Sequence, residues 1–127
     1  MKIRTAFTAA ALLALVTACA TVVEIPDDMP PNKLIQAAQE ATDINKYKVA
    51  LQYYGALLER HSDSMEYLAA GEYEIAFIHY KQKKYALARG EFEGLLARYS
   101  VPGDEPLPPR FKLLTEKVLA RLTELGH

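Results

Sequence analysis

The sequence has a single cysteine, no tryptophan and no marked excess of either charge. One cysteine excludes an internal disulfide framework and any Cys-cluster zinc site. Without tryptophan, aromatic packing rests largely on 8 tyrosines, whose rings each carry a hydroxyl that needs water or a partner. Lysine and arginine total 15 against 16 acids, a formal charge of -1, so no strong field points to nucleic acid or to a highly acidic substrate. Catalytic signatures are missing as well: there is no nucleophile elbow, no Gly-rich phosphate loop and no HExxH. The Glu72/Glu74 and Glu91/Glu93 pairs do not substitute for them, because residues two apart on a helix do not share a face. His61 and His79 have neither Cys nor Asp at ligand spacing and read as stand-ins for aromatic rings, while His127 is terminal. The expectation is a protein without catalytic activity, metal or cofactor. What is present, 127 residues with 50% hydrophobic and 24% charged, suits one globular domain.

The N-terminus reads as an address. Lys2 and Arg4 precede an apolar run from Ala6 to Val16, which ends in Val16-Thr17-Ala18-Cys19. The uncharged stretch from Thr5 to Ala18 is shorter than the ~20 residues a spanning helix needs. The segment resembles a bacterial lipoprotein signal, residues 1–18, with a lipobox before Cys19. The resemblance implies cleavage before Cys19, acyl chains on that residue and a stable membrane anchor. In lipoproteins of the enterobacterial type a residue other than Asp after the cysteine, here Ala20, goes with the outer membrane, so the resemblance implies that location, with the domain facing the periplasm. Residues 19–31 then read as the lipidated cysteine and a tether. Pro26, Pro30 and Pro31, with Glu24, Asp27 and Asp28, disfavour helix and give an extended reach of about 30–40 Å.

Residues 32–127 read as a helical domain, because strand-like alternation is missing and Gly or Pro punctuation is sparse before Val101-Pro102-Gly103. Comparing the chain with itself at an offset of 38 residues aligns Lys46-Tyr47 with Lys84-Tyr85, Ala50 with Ala88, Tyr54 with Phe92, Leu57-Leu58 with Leu95-Leu96, and Arg60 with Arg98. Each copy places apolar residues at three- and four-residue spacing, and each follows another amphipathic stretch. Leu34, Ala37, Ala38 and Ala41 mark the first; Leu68, Gly71, Ile75 and Ile78 mark the other, opened by an Asp63/Glu66 capping box. Ala38 opposite Ala50, and Ala76 opposite Ala88, would let paired helices approach closely. Beyond a Pro-rich loop, Phe111, Leu114, Val118, Leu119, Leu122 and Leu125 define a capping helix over 109–126.

The pattern Ala88-x3-Phe92, with Ala76 twelve residues earlier and Lys-Lys-Tyr at the turn, resembles the tetratricopeptide repeat. The period exceeds that family's 34 residues by about one helical turn. Tyr85-x2-Ala88-x3-Phe92-x2-Leu95-Leu96-x2-Tyr99 looks most like bacterial envelope repeat proteins, such as the repeat lipoprotein of the outer-membrane β-barrel assembly machinery and the periplasmic coordinator of the Tol–Pal system. The resemblance implies an all-α, short helical-hairpin solenoid of about two repeats that binds a protein or peptide partner. On the third helix, Tyr73, Phe77 and Tyr80 form a second apolar stripe with Lys81 beside it. These positions match the groove of a tetratricopeptide stack, which makes them the candidate partner-binding residues; a helix apolar on two sides is also what packing on both sides gives, so the stripe reads either as core or as groove. A lipid-anchored envelope adaptor is the expected function, with a small-ligand-binding or transport-accessory lipoprotein as the alternative. The latter would need an enclosed apolar cavity.

Overall fold

A computed structural model describes residues 21–127; the signal over 1–18 and Cys19 lie outside the described residues. Five helices follow in order among those residues, with no strand: α1 (Pro31–Asp43), α2 (Tyr47–His61), α3 (Met65–Lys81), α4 (Tyr85–Tyr99) and α5 (Pro109–Glu124). Each packs on the next, and α5 also reaches back to α3. The fold is a short helical-hairpin solenoid of two repeats, α1–α2 and α3–α4, closed by α5.

The repeat is carried by its turns. At the end of α1 the Lys46 N–H donates to the Ala41 carbonyl (2.8 Å) and the Asn45 N–H to Thr42 (3.0 Å). At the end of α3, 38 residues on, Lys84 donates to His79 and Lys83 to Tyr80, both at 2.9 Å. Both are Schellman motifs, which need a left-handed residue after the helix; Asn45 (φ 58°) and Lys83 (φ 61°) supply it. Asparagine suits that conformation, whereas lysine there costs roughly 1 kcal/mol. The end of α5 repeats the motif with Gly126 at φ 84°.

Within each hairpin the small residues sit at the crossing, as expected: Ala38, Ala50, Ala76 and Ala88 are all 0% exposed. Tyr54 and Leu57 of α2 fill the first core with Leu34, and Phe92 and Leu95 of α4 fill the second with Phe111 and Leu122. Each such fully buried Leu contributes about 1.5–3 kcal/mol. The repeats join at Gly71, where a Cβ would stand 2.6 Å from the Leu58 side chain, so any larger residue there would make Leu58 shift.

Several local expectations are corrected. The Asp63/Glu66 capping box does not form: Ser64 is the N-cap of α3 without a side-chain bond, and Glu66 pairs with Arg110 instead. In α5, Leu114 and Leu125 stay 37% and 43% exposed while Thr115 is fully buried, because the helix turns Phe111, Thr115, Val118 and Leu122 inward. Leu68 and Ile75 are half-buried rather than core, since α3 buries Ala69, Tyr73, Ala76 and Ile78 instead.

The Pro-rich segment does not hang free over its described residues. From Thr21 to Met29 it lies along α2: the Val23 N–H donates to Gln52 Oε1 (2.9 Å), Gln52 Nε2 donates to the Thr21 carbonyl (2.7 Å), and Arg60 donates to the Pro26 carbonyl (2.8 Å). Ile25 and Met29 pack on the first core. Polar side chains of α2 thus satisfy backbone groups that no regular element pairs.

Candidate functional site

The structure does bring Tyr73, Phe77, Tyr80 and Lys81 together, but not as one groove. Tyr73 is core, 7% exposed, with its ring centroid 5.7 Å from both Phe92 of α4 and Phe111 of α5. Burial, with Glu74 adding to it, pushes its hydroxyl up to about 12. The reason is tertiary: α5 folds back across α3, and Phe111 covers the ring. Phe77 stacks between Tyr73 and Tyr80 at 5.8 Å from each and is half-buried. Lys81 is exposed, its Nζ 5.6 Å from the Phe77 ring centroid. The ladder of rings runs on through Tyr80 and Tyr85 to His127. Phe77, Tyr80 and Lys81 remain as a surface edge of a stack whose inner end is sealed.

A different concavity opens on the other side of α3. A cleft of about 430 Å³ is floored by Glu72 and Ile75 and walled by Leu58 of α2 on one side. Gly94, Leu95, Ala97 and Arg98 of α4 form the facing wall, with Val101 beyond. It is open to solvent, and Val101 is 69% exposed. Its polar rim is internally paired: Arg98 grips both Glu72 oxygens (2.7–3.1 Å), and His79 Nδ1 lies 2.7 Å from Glu91 Oε2. Gly90 and Gly94, one turn apart on α4, have no neighbour within 4 Å of where a Cβ would be, so helix packing does not call for glycine at either. Both weaken the helix.

The repeat identifies this cleft. Shifting by 38 residues carries Leu34, Ala37, Ala56 and Arg60 onto Glu72, Ile75, Gly94 and Arg98, all of which line it. In the first hairpin the corresponding surface is covered by residues 21–29, held by Gln52 and Arg60. The cleft is the second hairpin's counterpart of that seat, with nothing from the described chain in it. Sequence reasoning missed it, although Gly90 and Gly94 standing where the first copy has Gln52 and Ala56 were a visible signal.

Glu74, half-buried on α3, has its carboxyl raised above the ordinary range by burial, with Lys81 partly opposing. Tyr54, whose hydroxyl is buried without a hydrogen-bond partner, is raised by burial and by Glu74 and Asp43. Among the described residues no group of three or more His, Cys, Asp or Glu side chains is placed to hold a metal, and no helix is long and apolar enough to cross a membrane.

No family model matches the chain, and no solved structure matches it. A stretch of 99 residues is 31% identical to an uncharacterized protein of Treponema pallidum (strain Nichols). The match covers 78% of this chain and 40% of that protein.

Proposed function

We propose that the protein is a non-catalytic, lipid-anchored adaptor of the bacterial envelope that holds an extended apolar segment of a protein partner in the cleft between α2 and α4. One observation carries the reading: on the first hairpin the corresponding seat is filled by an extended segment of this same chain. Ile25 and Met29 supply its apolar side chains, and polar side chains of α2 bind its backbone. On the second hairpin an apolar floor at Ile75 and a wall without side chain at Gly94 leave room for a main chain to approach closely. Arg98 corresponds to Arg60 and is the residue that would exchange its bond to Glu72 for a partner carbonyl. The lipobox-like sequence before Cys19 supports the anchor, and the resemblance of the repeat to envelope tetratricopeptide proteins supports the outer membrane and periplasm as its place of work. An open cleft favours a protein partner over a small ligand, which would be enclosed.

The test is photocrosslinking in intact cells from a reactive residue at position 94, against a control at Leu113, which is 54% exposed on α5. A discrete adduct with an envelope protein from position 94 alone is expected, and Cys19→Ser should release that adduct from the membrane. Adducts of equal yield from both positions would refute the cleft.

A further inference from the structure

The two edges of the solenoid differ in charge. At the edge where α1 and α3 end and α2 and α4 begin lie Lys46, Lys48, Lys81, Lys83 and Lys84. Its acids are Asp43 and Glu124, the latter paired with Arg121. The opposite edge, where α1, α3 and α5 begin and α2 and α4 end, mixes the signs: Asp27, Asp28, Glu59, Asp63, Glu66, Asp104 and Glu105 stand there with Lys33, Arg60, Arg98, Arg110 and Lys112, so it is mildly acidic rather than basic. The two kinds of cation also differ in pairing. Among the described residues Arg60, Arg89, Arg98, Arg110 and Arg121 all make ion pairs within the protein, while no lysine does.

Local structure does not ask for lysine at this edge. Lys46 and Lys84 are the N-caps of α2 and α4, where Ser or Asp would bond the free N–H groups and suit the positive helix end. Neither lysine makes a cap bond. Lys83 occupies a left-handed position that glycine or asparagine fits better.

The chain also arrives here. Thr21 shares a cleft of about 510 Å³ with Lys46 and Lys48 of the first turn and Gln82 of the second. Cys19 lies two residues before Thr21 in the sequence, and two residues reach at most about 7 Å. Val22 and Ile44, 81% and 61% exposed, flank the same edge.

We propose that this edge rests on an anionic phospholipid surface, with the five lysines against the headgroups. The solenoid then stands edge-on at the bilayer, with the cleft between α2 and α4 running away from it. The geometry rests on the lipid-anchor reading only for which membrane is met; the charge argument stands without it. Each lysine near an anionic bilayer contributes about five-fold in partitioning, so the set outweighs a single surface contact.

The test reconstitutes the full purified chain into vesicles of phosphatidylcholine alone, or with about 30% phosphatidylglycerol, and follows the rate of amine labelling at each lysine by mass spectrometry. Several-fold slower labelling of Lys46, Lys48, Lys81, Lys83 and Lys84 on the anionic vesicles is expected, with Lys112 and Lys117 unaffected. The difference should vanish in roughly 0.5 M salt, where screening shortens to a few Å. The Lys83→Glu/Lys84→Glu variant should lose the slowing at Lys46 and Lys48, and the Lys112→Glu/Lys117→Glu variant, equal in charge change, should keep it. Equal labelling on both vesicle types, or slowing that survives Lys83→Glu/Lys84→Glu, overturns the proposal. The intact mass of the same sample reports acyl groups on Cys19 separately. A chain without them refutes the anchor, while the lysine rates still decide the edge.

Discussion

The first and second hairpins have the same turns, the same alanine crossings and the same Leu at 57 and 95, yet the outer surfaces of their second helices differ. On α2, Gln52, Ala56 and Arg60 hold or lie beneath residues 21–29. On α4 the corresponding Gly90, Gly94 and Arg98 face an open cleft. Beneath, fully buried Leu34 in the first hairpin becomes half-buried Glu72 in the second. At this one position the covered copy is apolar, while the open copy carries a carboxylate that Arg98 pairs, as the cost of burying an unpaired carboxylate requires. One scaffold thus shows both states of the same surface, filled and empty.

The sharpest way to break this comparison is to truncate one residue of each kind on the second hairpin. Phe92→Ala, which empties a fully buried site, should cost about 3–5 kcal/mol in urea unfolding. Ile75→Ala opens onto a cleft that is already solvated, so it leaves no enclosed cavity and should cost less than half as much. Equal losses would mean that the cleft is closed in solution.

Exchanging the small residues of the two outer surfaces comes next. Ala56→Gly should lower stability by about 1 kcal/mol, and Gly94→Ala should raise it by about 0.5–1 kcal/mol, because no atom stands near the added methyl. Thermal melts that show Gly94→Ala to be destabilising would contradict the open wall.

Tyr54→Phe makes the first core resemble the second, where Phe92 stands. The Tyr54 hydroxyl is buried without a partner, so its removal should stabilise by about 1 kcal/mol. A loss of that size in equilibrium unfolding would reveal a hydrogen bond that the structure lacks.

The smallest effect concerns Glu74, which has no counterpart in the first hairpin, where Gln36 stands. Its raised carboxyl means that the folded state holds the proton more tightly than the unfolded chain. Stability from this group is therefore highest at low pH, and falls as pH rises through the ordinary carboxylate range to the raised folded value. Glu74→Gln should match the parent near pH 4 and exceed it slightly at pH 7, read as the difference in Tm. A constant difference across that range would remove burial as the cause.

Much of this architecture was legible in the residues. The offset of 38 positions found both hairpins because apolar, small and basic residues recur together, and the same offset relates the two Schellman turns. Three- and four-residue spacing identified α5, though not which face it buries: Leu114 and Thr115 are neighbours, and a rotation of about 100° per residue separates them. Tyr73 shows the limit most clearly. Its spacing with Phe77 and Tyr80 is a property of α3 alone, but the ring's burial depends on Phe111, 38 positions away across a loop. The Pro-rich stretch shows a second limit: proline excludes helix at 26 and 30, but whether an extended segment hangs free or docks depends on Gln52 and Arg60 meeting its carbonyls.

The sequence by itself determined the local terms: which segments are helical, where they stop, which alanines allow close crossing and that the copies are equivalent. These follow from interactions within a few residues of one another, or from a repeat that is visible by alignment. Only the tertiary structure decided which of two equivalent surfaces is covered, because coverage depends on segments that meet across the stack. Residues 21–29 reach α2, α5 reaches α3, and neither reaches the cleft beside α4.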